Sequence, residues 1–193
     1  MRIVLVRHRR PGGVSTALIP GRAIGDWVRR YDAVGVAQDV APPPTARELA
    51  SAAACIVASD LRRARESAEW LAPTRSIILD AGLREAPLPE SLGIALRLSP
   101  GAWIVIARLA WFLNWGGASE TATATRVRAV RIADRLAALA AEHESVMAVG
   151  HGIFNRFLAR ELRRRGWRGP RRFPPGYWGV AEFEHDIAAA RQG

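Results

Sequence analysis

Lysine is absent from this chain: all 28 basic residues are arginine, set against 18 acids, for a formal net charge of +10. So one-sided a choice of cation reflects compositional bias as much as a surface built for one partner. It weakens any step from charge to nucleic acid, although strong positive charge still favours anionic ligands. Cysteine occurs once, as Cys55 in the apolar run ACIVAS, which excludes an internal disulfide framework and a cysteine-based zinc site and reads as a small core residue. Histidine is scarce and scattered, at 8, 143, 151 and 185, so no ligand cluster for a metal stands out. Long apolar runs are missing too. The most hydrophobic stretch, PGAWIVIARLAWFLNW (100–115), is interrupted by Arg108. It falls short of the ~20 residues that cross a bilayer. The apolar run after Met1-Arg2 is only four residues long and ends in arginines, unlike a signal peptide. The expectation is a cytoplasmic protein with no membrane span.

What is present suits one α/β domain of 193 residues with 49% apolar content. Four short runs rich in branched apolar residues read as strands: RIVLVR (2–7), ACIVAS (54–59), RSIIL (75–79) and SVMAVG (145–150). Apolar on both sides, they belong in a parallel sheet covered on both faces. Helical periodicity fills the gaps. DLRRARESAEWLA (60–72) aligns Leu61, Ala64, Ala68 and Leu71, with Ser59 or Asp60 as cap. Residues 119–143 form a long helix with Ser119 as cap, and 153–166 form another ending at Gly166. APPPTA (41–46) reads as a proline loop, and 176–186 as a late edge strand. The expected architecture is a three-layer α/β/α sandwich with a mostly parallel central sheet and right-handed crossovers.

The chemistry lies at the strand ends. The buried run Ile3-Val4-Leu5-Val6 stops abruptly in Arg7-His8-Arg9-Arg10. Charge beside a core demands a partner. Ligands of open α/β sheets bind beyond the carboxyl ends of the strands. The second strand ends in Ser59, followed by Arg62 and Arg63, and the last ends in Gly150-His151-Gly152. If these strands are neighbours, two histidines and at least two arginines meet at one rim. Guanidinium forks match phosphoryl oxygens, and the helix after His151 would add backbone N–H groups. That is a phosphate pocket in outline.

Four motifs in this order resemble the histidine phosphatase superfamily, with its phosphoglycerate mutase-like fold. LVRHRRP is similar to the family's first motif, SDLRRARESA to its Ser-x-Leu-x-Arg-Ala helix, GLREAPLPE to its Leu-x-Glu segment, and AVGHG to its late Gly-His-Gly strand end. The resemblance implies a single domain over 1–193, with an apolar helical insertion around 92–118. It implies a phosphomonoesterase that needs neither metal nor cofactor and acts on a small phosphorylated substrate. His8 would be the nucleophile, forming a phosphohistidine. Arg7 and Arg63 would hold the phosphoryl oxygens, with His151 donating to the same group, and Glu85 would protonate the leaving oxygen. Flanking arginines favour the neutral imidazole that such a nucleophile needs, and cationic donors stabilise the charge in transfer.

The sequence departs from the family at three points, one being that the HRRPGGVSTA loop has no clear match to the polar residue that many members place about six positions after the nucleophile. Arg9 stands where a small residue is usual, either crowding the pocket or adding a phosphate contact. Glu85 is followed by APLPES, so Glu90 is a second candidate acid. Other readings of the same pocket are a phosphoglycerate mutase-like phosphotransferase and a catalytically weakened protein that binds a phosphorylated ligand. From a different class comes a nucleic-acid binder using the arginine-rich tail, 159–173, where seven arginines face one glutamate, Glu161. No aromatic-interleaved basic motif supports it, so nucleic acid is not the expected partner. Trp103, Trp111, Phe112 and Trp115 read first as a helix packed on the sheet, and second as a wall for a substrate with an apolar portion. Arg62 is placed to pair with Glu66 on a helix surface. His143 and His185 are assigned no role. Oligomeric state is not legible, with a homodimer one option.

Overall fold

The run Ile3-Val4-Leu5-Val6 alternates between two cores, which is why it is apolar at every position. The structure, a computed structural model, describes residues 1–37, 39 and 41–186; Gln38, Val40 and residues 187–193 of the expected domain lie outside the described residues. Strand β1 (Arg2–Arg7) pairs in parallel with β6 (Ser145–Gly150), and β6 pairs in parallel with β3 (Cys55–Ala58). A short β4 (Ile78–Leu79) adds to the far side of β3, and β7 (Val180–Glu184) runs antiparallel along the near side of β1. The sheet order is therefore β4-β3-β6-β1-β7. Ile3 and Leu5 face one layer with Val146, Ala148, Phe154, Leu158 and Leu136. Val4 and Val6 face the other with Ile56, Met147, Val149, Ala68 and Leu71. Helices α5 (Ala122–His143) and α6 (Gly152–Arg164) form the first layer. Helices α2 (Pro44–Ala52) and α3 (Arg62–Leu71) form the second. The fold is the expected three-layer α/β/α sandwich with a mostly parallel sheet.

Several local expectations need correction. The strand placed at 75–79 shrinks to Ile78–Leu79, because Arg75 turns its guanidinium onto the carbonyls of Ala53 and Ala54. The loop placed at 41–46 ends early: Pro44 begins α2, where a missing N–H costs nothing. Neither Ser59 nor Asp60 caps α3, whose N-cap is Leu61, and Thr121 rather than Ser119 caps α5, accepting from Ala124 N at 3.1 Å. Gly166 does follow the end of α6, at φ +83°.

The aromatic stretch forms α4 (Pro100–Phe112), but not against the sheet. Trp103, Ala107 and Ala110 pack on Ile24 and Trp27 of α1 (Ile24–Ala33), with Leu92 completing a third, separate core. A two-stranded ribbon, β2 (Ile19–Pro20) with β5 (Arg97–Leu98), ties this unit together. Among the described residues no helix is long and apolar enough to cross a membrane.

Candidate phosphoryl-transfer site

The register of the sheet brings the strand ends level. Arg7 lies opposite Gly150, so His8 and His151, each one residue beyond its strand, become neighbours with ring centroids 5.0 Å apart. Ser59 follows the end of β3, and α3 carries Arg63 across the same rim. The glycines around His151 are fixed by space: a Cβ on Gly152 would lie 3.2 Å from the Arg7 guanidinium carbon, and one on Gly150 would lie 2.8 Å from Asn155 Oδ1.

His8, Arg63 and His151 are all buried. His8 Nδ1 faces the Arg9 carbonyl at 2.5 Å, so that nitrogen carries the proton and Nε2 keeps its lone pair. Arg63 Nε donates to His8 Nε2 at 3.3 Å. The same guanidinium reaches His151 Nδ1 through Nη2, also at 3.3 Å. His151 then donates from Nε2 to Ser59 Oγ, 3.0 Å away. Burial, and next the charge of Arg63, holds the His8 imidazole well below the ordinary histidine range. For His151 burial leads, followed by His8 and Arg63. Both rings are neutral at neutral pH, the form a nitrogen nucleophile requires.

Other elements close over these groups. Asp32, from the end of α1, accepts from Arg63 Nη1 at 2.7 Å. Tyr31 lies 4.8 Å over the Arg63 guanidinium, and Tyr177 lies 4.5 Å from the Arg7 guanidinium and 5.7 Å from the His8 ring. Burial, reinforced by Tyr177, pushes the Tyr31 hydroxyl up. Arg7 also donates to the Pro175 carbonyl. Buried Ser67 locks the base of the site, accepting from Arg9 N at 2.9 Å and donating to the Arg63 carbonyl at 2.6 Å.

Arg7, His8, Arg63 and His151 are thus brought together as the sequence indicates. Arg9 is not. Its backbone is fastened to Ser67, which turns the side chain toward α3, where the guanidinium stacks 4.1 Å over Trp70 and stands 3.9 Å from Asp39. It is not among the residues that line the cavity over His8. Glu85 does line that cavity, half-buried. Its carboxylate accepts from Ile153 N at 3.1 Å, Phe154 N at 2.8 Å and Ala86 N at 3.0 Å. The first N–H groups of α6, expected to face a phosphate, therefore go to Glu85, a favourable match of carboxylate and helix N-terminus. Glu90 lies exposed on the cavity wall. Tyr31, Asp32, Ser67 and Tyr177 escaped the sequence reading. Ser67 sits four residues after Arg63 on the same face of α3, a spacing that could have exposed it; the other three carry no local signal.

Of the remaining arginines, Arg62 pairs with Glu66 at 2.6 Å as expected, and in the tail Glu161 is buried and shared by Arg164 and Arg165. Arg165 also pairs with Asp134, and Arg168 with Asp186. Three of the tail's seven arginines, Arg164, Arg165 and Arg168, are therefore ion-paired.

A buried pair of neutral histidines bridged by one guanidinium thus lies at the carboxyl edge of the parallel strands. Residues 44–189 match the histidine phosphatase superfamily (branch 1), and the chain belongs to that family. No curated protein matches it. Among solved structures it is similar to a mutant phosphoserine phosphatase from Entamoeba histolytica in complex with phosphoserine, with TM-score 0.60, 14% identity, and 96% of this chain and 91% of that one covered. It is also similar to mycobacterial glucosyl-3-phosphoglycerate phosphatase in complex with VO3, with TM-score 0.59, 21% identity, and 97% and 92% covered. A structure described as mycobacterial hydrolase 1 aligns with TM-score 0.56 and 23% identity over 84% of this chain and 78% of that one. At these identities the likeness establishes the fold.

Proposed function

We propose that the chain hydrolyses a phosphomonoester through a phosphoryl group carried on His8. The observation that carries this reading is the tautomer: Nδ1 is tied to the Arg9 carbonyl at 2.5 Å, which leaves the Nε2 lone pair directed at Arg63. In the first step Nε2 bonds to phosphorus, the bond from phosphorus to the ester oxygen breaks, and Glu85 gives that oxygen its proton. In the second a water attacks phosphorus, the P–N bond breaks, and Glu85 takes the proton back. Arg7 and Arg63 hold the phosphoryl oxygens throughout, and His151 donates to them by releasing Ser59. Positioned cationic donors are commonly the largest part of such catalysis. Arg9 has no part in it.

A second reading has one observation in its favour. Glu85 accepts from three amides, two of them in α6 and one its own neighbour Ala86, and must release them to give up a proton, which would suit a protein that binds a phosphorylated ligand without turning it over. Hydrolysis of p-nitrophenyl phosphate in EDTA, wild type beside His8→Ala, separates the two. Turnover that survives the chelator and disappears in the variant supports the phosphatase. A protein stabilised by phosphate but without turnover supports the binder.

A further inference from the structure

The cavity over His8 measures about 1300 Å³, beyond the roughly 300–1000 Å³ of common small-ligand sites. A phosphoryl group occupies only the end formed by Arg7, His8 and Arg63. The lining also holds another chemistry: Trp27 and Val28 of α1, Leu88, and Ile104, Val105 and Leu109 of α4 contribute apolar side chains beside the charged ones. Val105 and Leu109 stand one turn apart on α4 and are 60% and 61% exposed, so the α4 wall leaves branched apolar side chains in water. Scattered exposed apolar residues are normal, but a concentrated row inside a concavity points to a ligand. The one charge on α4 does not soften it. Arg108 turns inward to the carbonyls of Ala86 and Pro87, at 2.9 and 3.2 Å, and packs 4.9 Å over Trp111. Trp103 and Trp111 are core residues, so the wall is a rigid support.

We infer that the ester hydrolysed here carries its phosphate on an extended apolar alcohol, alkyl or isoprenoid in character, laid along α4 with the phosphate at His8. This deepens the phosphatase reading and rests on it for the placement of the phosphate. A short polar alcohol would leave the α4 wall hydrated, whereas each methylene buried there adds binding.

The test is kcat/KM for n-alkyl phosphates from butyl to decyl, below their micellar concentrations, with glycerol phosphate as the polar comparison. The expected result is a rise of about two- to fourfold per methylene, with glycerol phosphate the poorest substrate. Leu109→Asp and Val105→Asp should flatten that slope, each normalised to its own p-nitrophenyl phosphate rate. A flat or falling series in the wild type overturns the inference, and it decides alone should the variants not fold. If no ester is hydrolysed, the phosphatase reading fails separately. The affinities of butyl- and decylphosphonate then decide: tighter binding of the longer chain upholds the apolar site, and equal binding removes it.

Discussion

One guanidinium joins the two buried histidines: Arg63 donates through Nε to His8 Nε2 and through Nη2 to His151 Nδ1, each at 3.3 Å. The fork is planar and fixed, so it orients both rings, and in the proposed mechanism it receives the phosphoryl oxygens. Lysine offers a single point charge and cannot span the pair. Arg63→Lys should therefore lose about 10²–10³ in kcat/KM toward p-nitrophenyl phosphate. A loss below about fivefold would show that the fork is dispensable.

The third arm of that guanidinium is held by Asp32 at 2.7 Å, where a phosphate oxygen would have to come. Arg63 is buried and Asp32 is the partly exposed member, where solvent screens the pair, so its strength is modest, on the order of 0.5–1 kcal/mol. Asp32→Asn should lower the inhibition constant of inorganic phosphate by about two- to fivefold. Weaker inhibition would mean that Asp32 positions Arg63 rather than competing for it.

Glu85 is assigned both a proton and a helix end. In Glu85→Gln, hydrolysis of an alkyl phosphate, whose leaving oxygen needs a proton, should fall by about 10²–10³. Hydrolysis of p-nitrophenyl phosphate, whose leaving group departs as the anion, should fall far less. Equal losses on both esters would reduce Glu85 to an anchor for α6. The same comparison on Asp32→Asn and Glu90→Gln tests two further acids of the cavity lining.

The two histidines should also leave a mark on stability. Burial holds both below the ordinary range of about 6.5, so as pH falls the unfolded chain binds protons there that the folded chain refuses. Their contribution is complete above about pH 6.5 and is lost as pH falls toward the folded values. The slope is up to about 1.4 kcal/mol per pH unit for each ring. Thermal melts from pH 7.5 to 5 should show Tm falling below about 6.5, and less steeply in His151→Asn. Parallel profiles would contradict the neutral buried pair.

Much of this was legible in the chain because it is local. The unbroken apolar run Ile3 to Val6 and the ends Arg7-His8 and Gly150-His151 predict the central strands and the residues at their rim, and register alone then brings them together. What was not legible depends on distance along the chain. Nothing around Tyr31-Asp32 signals that α1 reaches over Arg63, 31 residues on. Nothing around Glu85 says that it will take the amides of α6, 68 and 69 residues away. Arg9 misled for the opposite reason: adjacency to His8 suggested the pocket, while a hydrogen bond to Ser67 sends the side chain to Trp70.

The central claim is a phosphoryl group on His8, and the direct measurement is to trap it. The enzyme is mixed with excess p-nitrophenyl phosphate, quenched in alkali, where phosphohistidine survives, and its peptides are read by mass spectrometry. The account predicts one added phosphoryl group, on the peptide that contains His8, lost on acidification and absent from His8→Ala. Steady turnover with no phosphoryl group on that peptide, or with one on His151 instead, would contradict it.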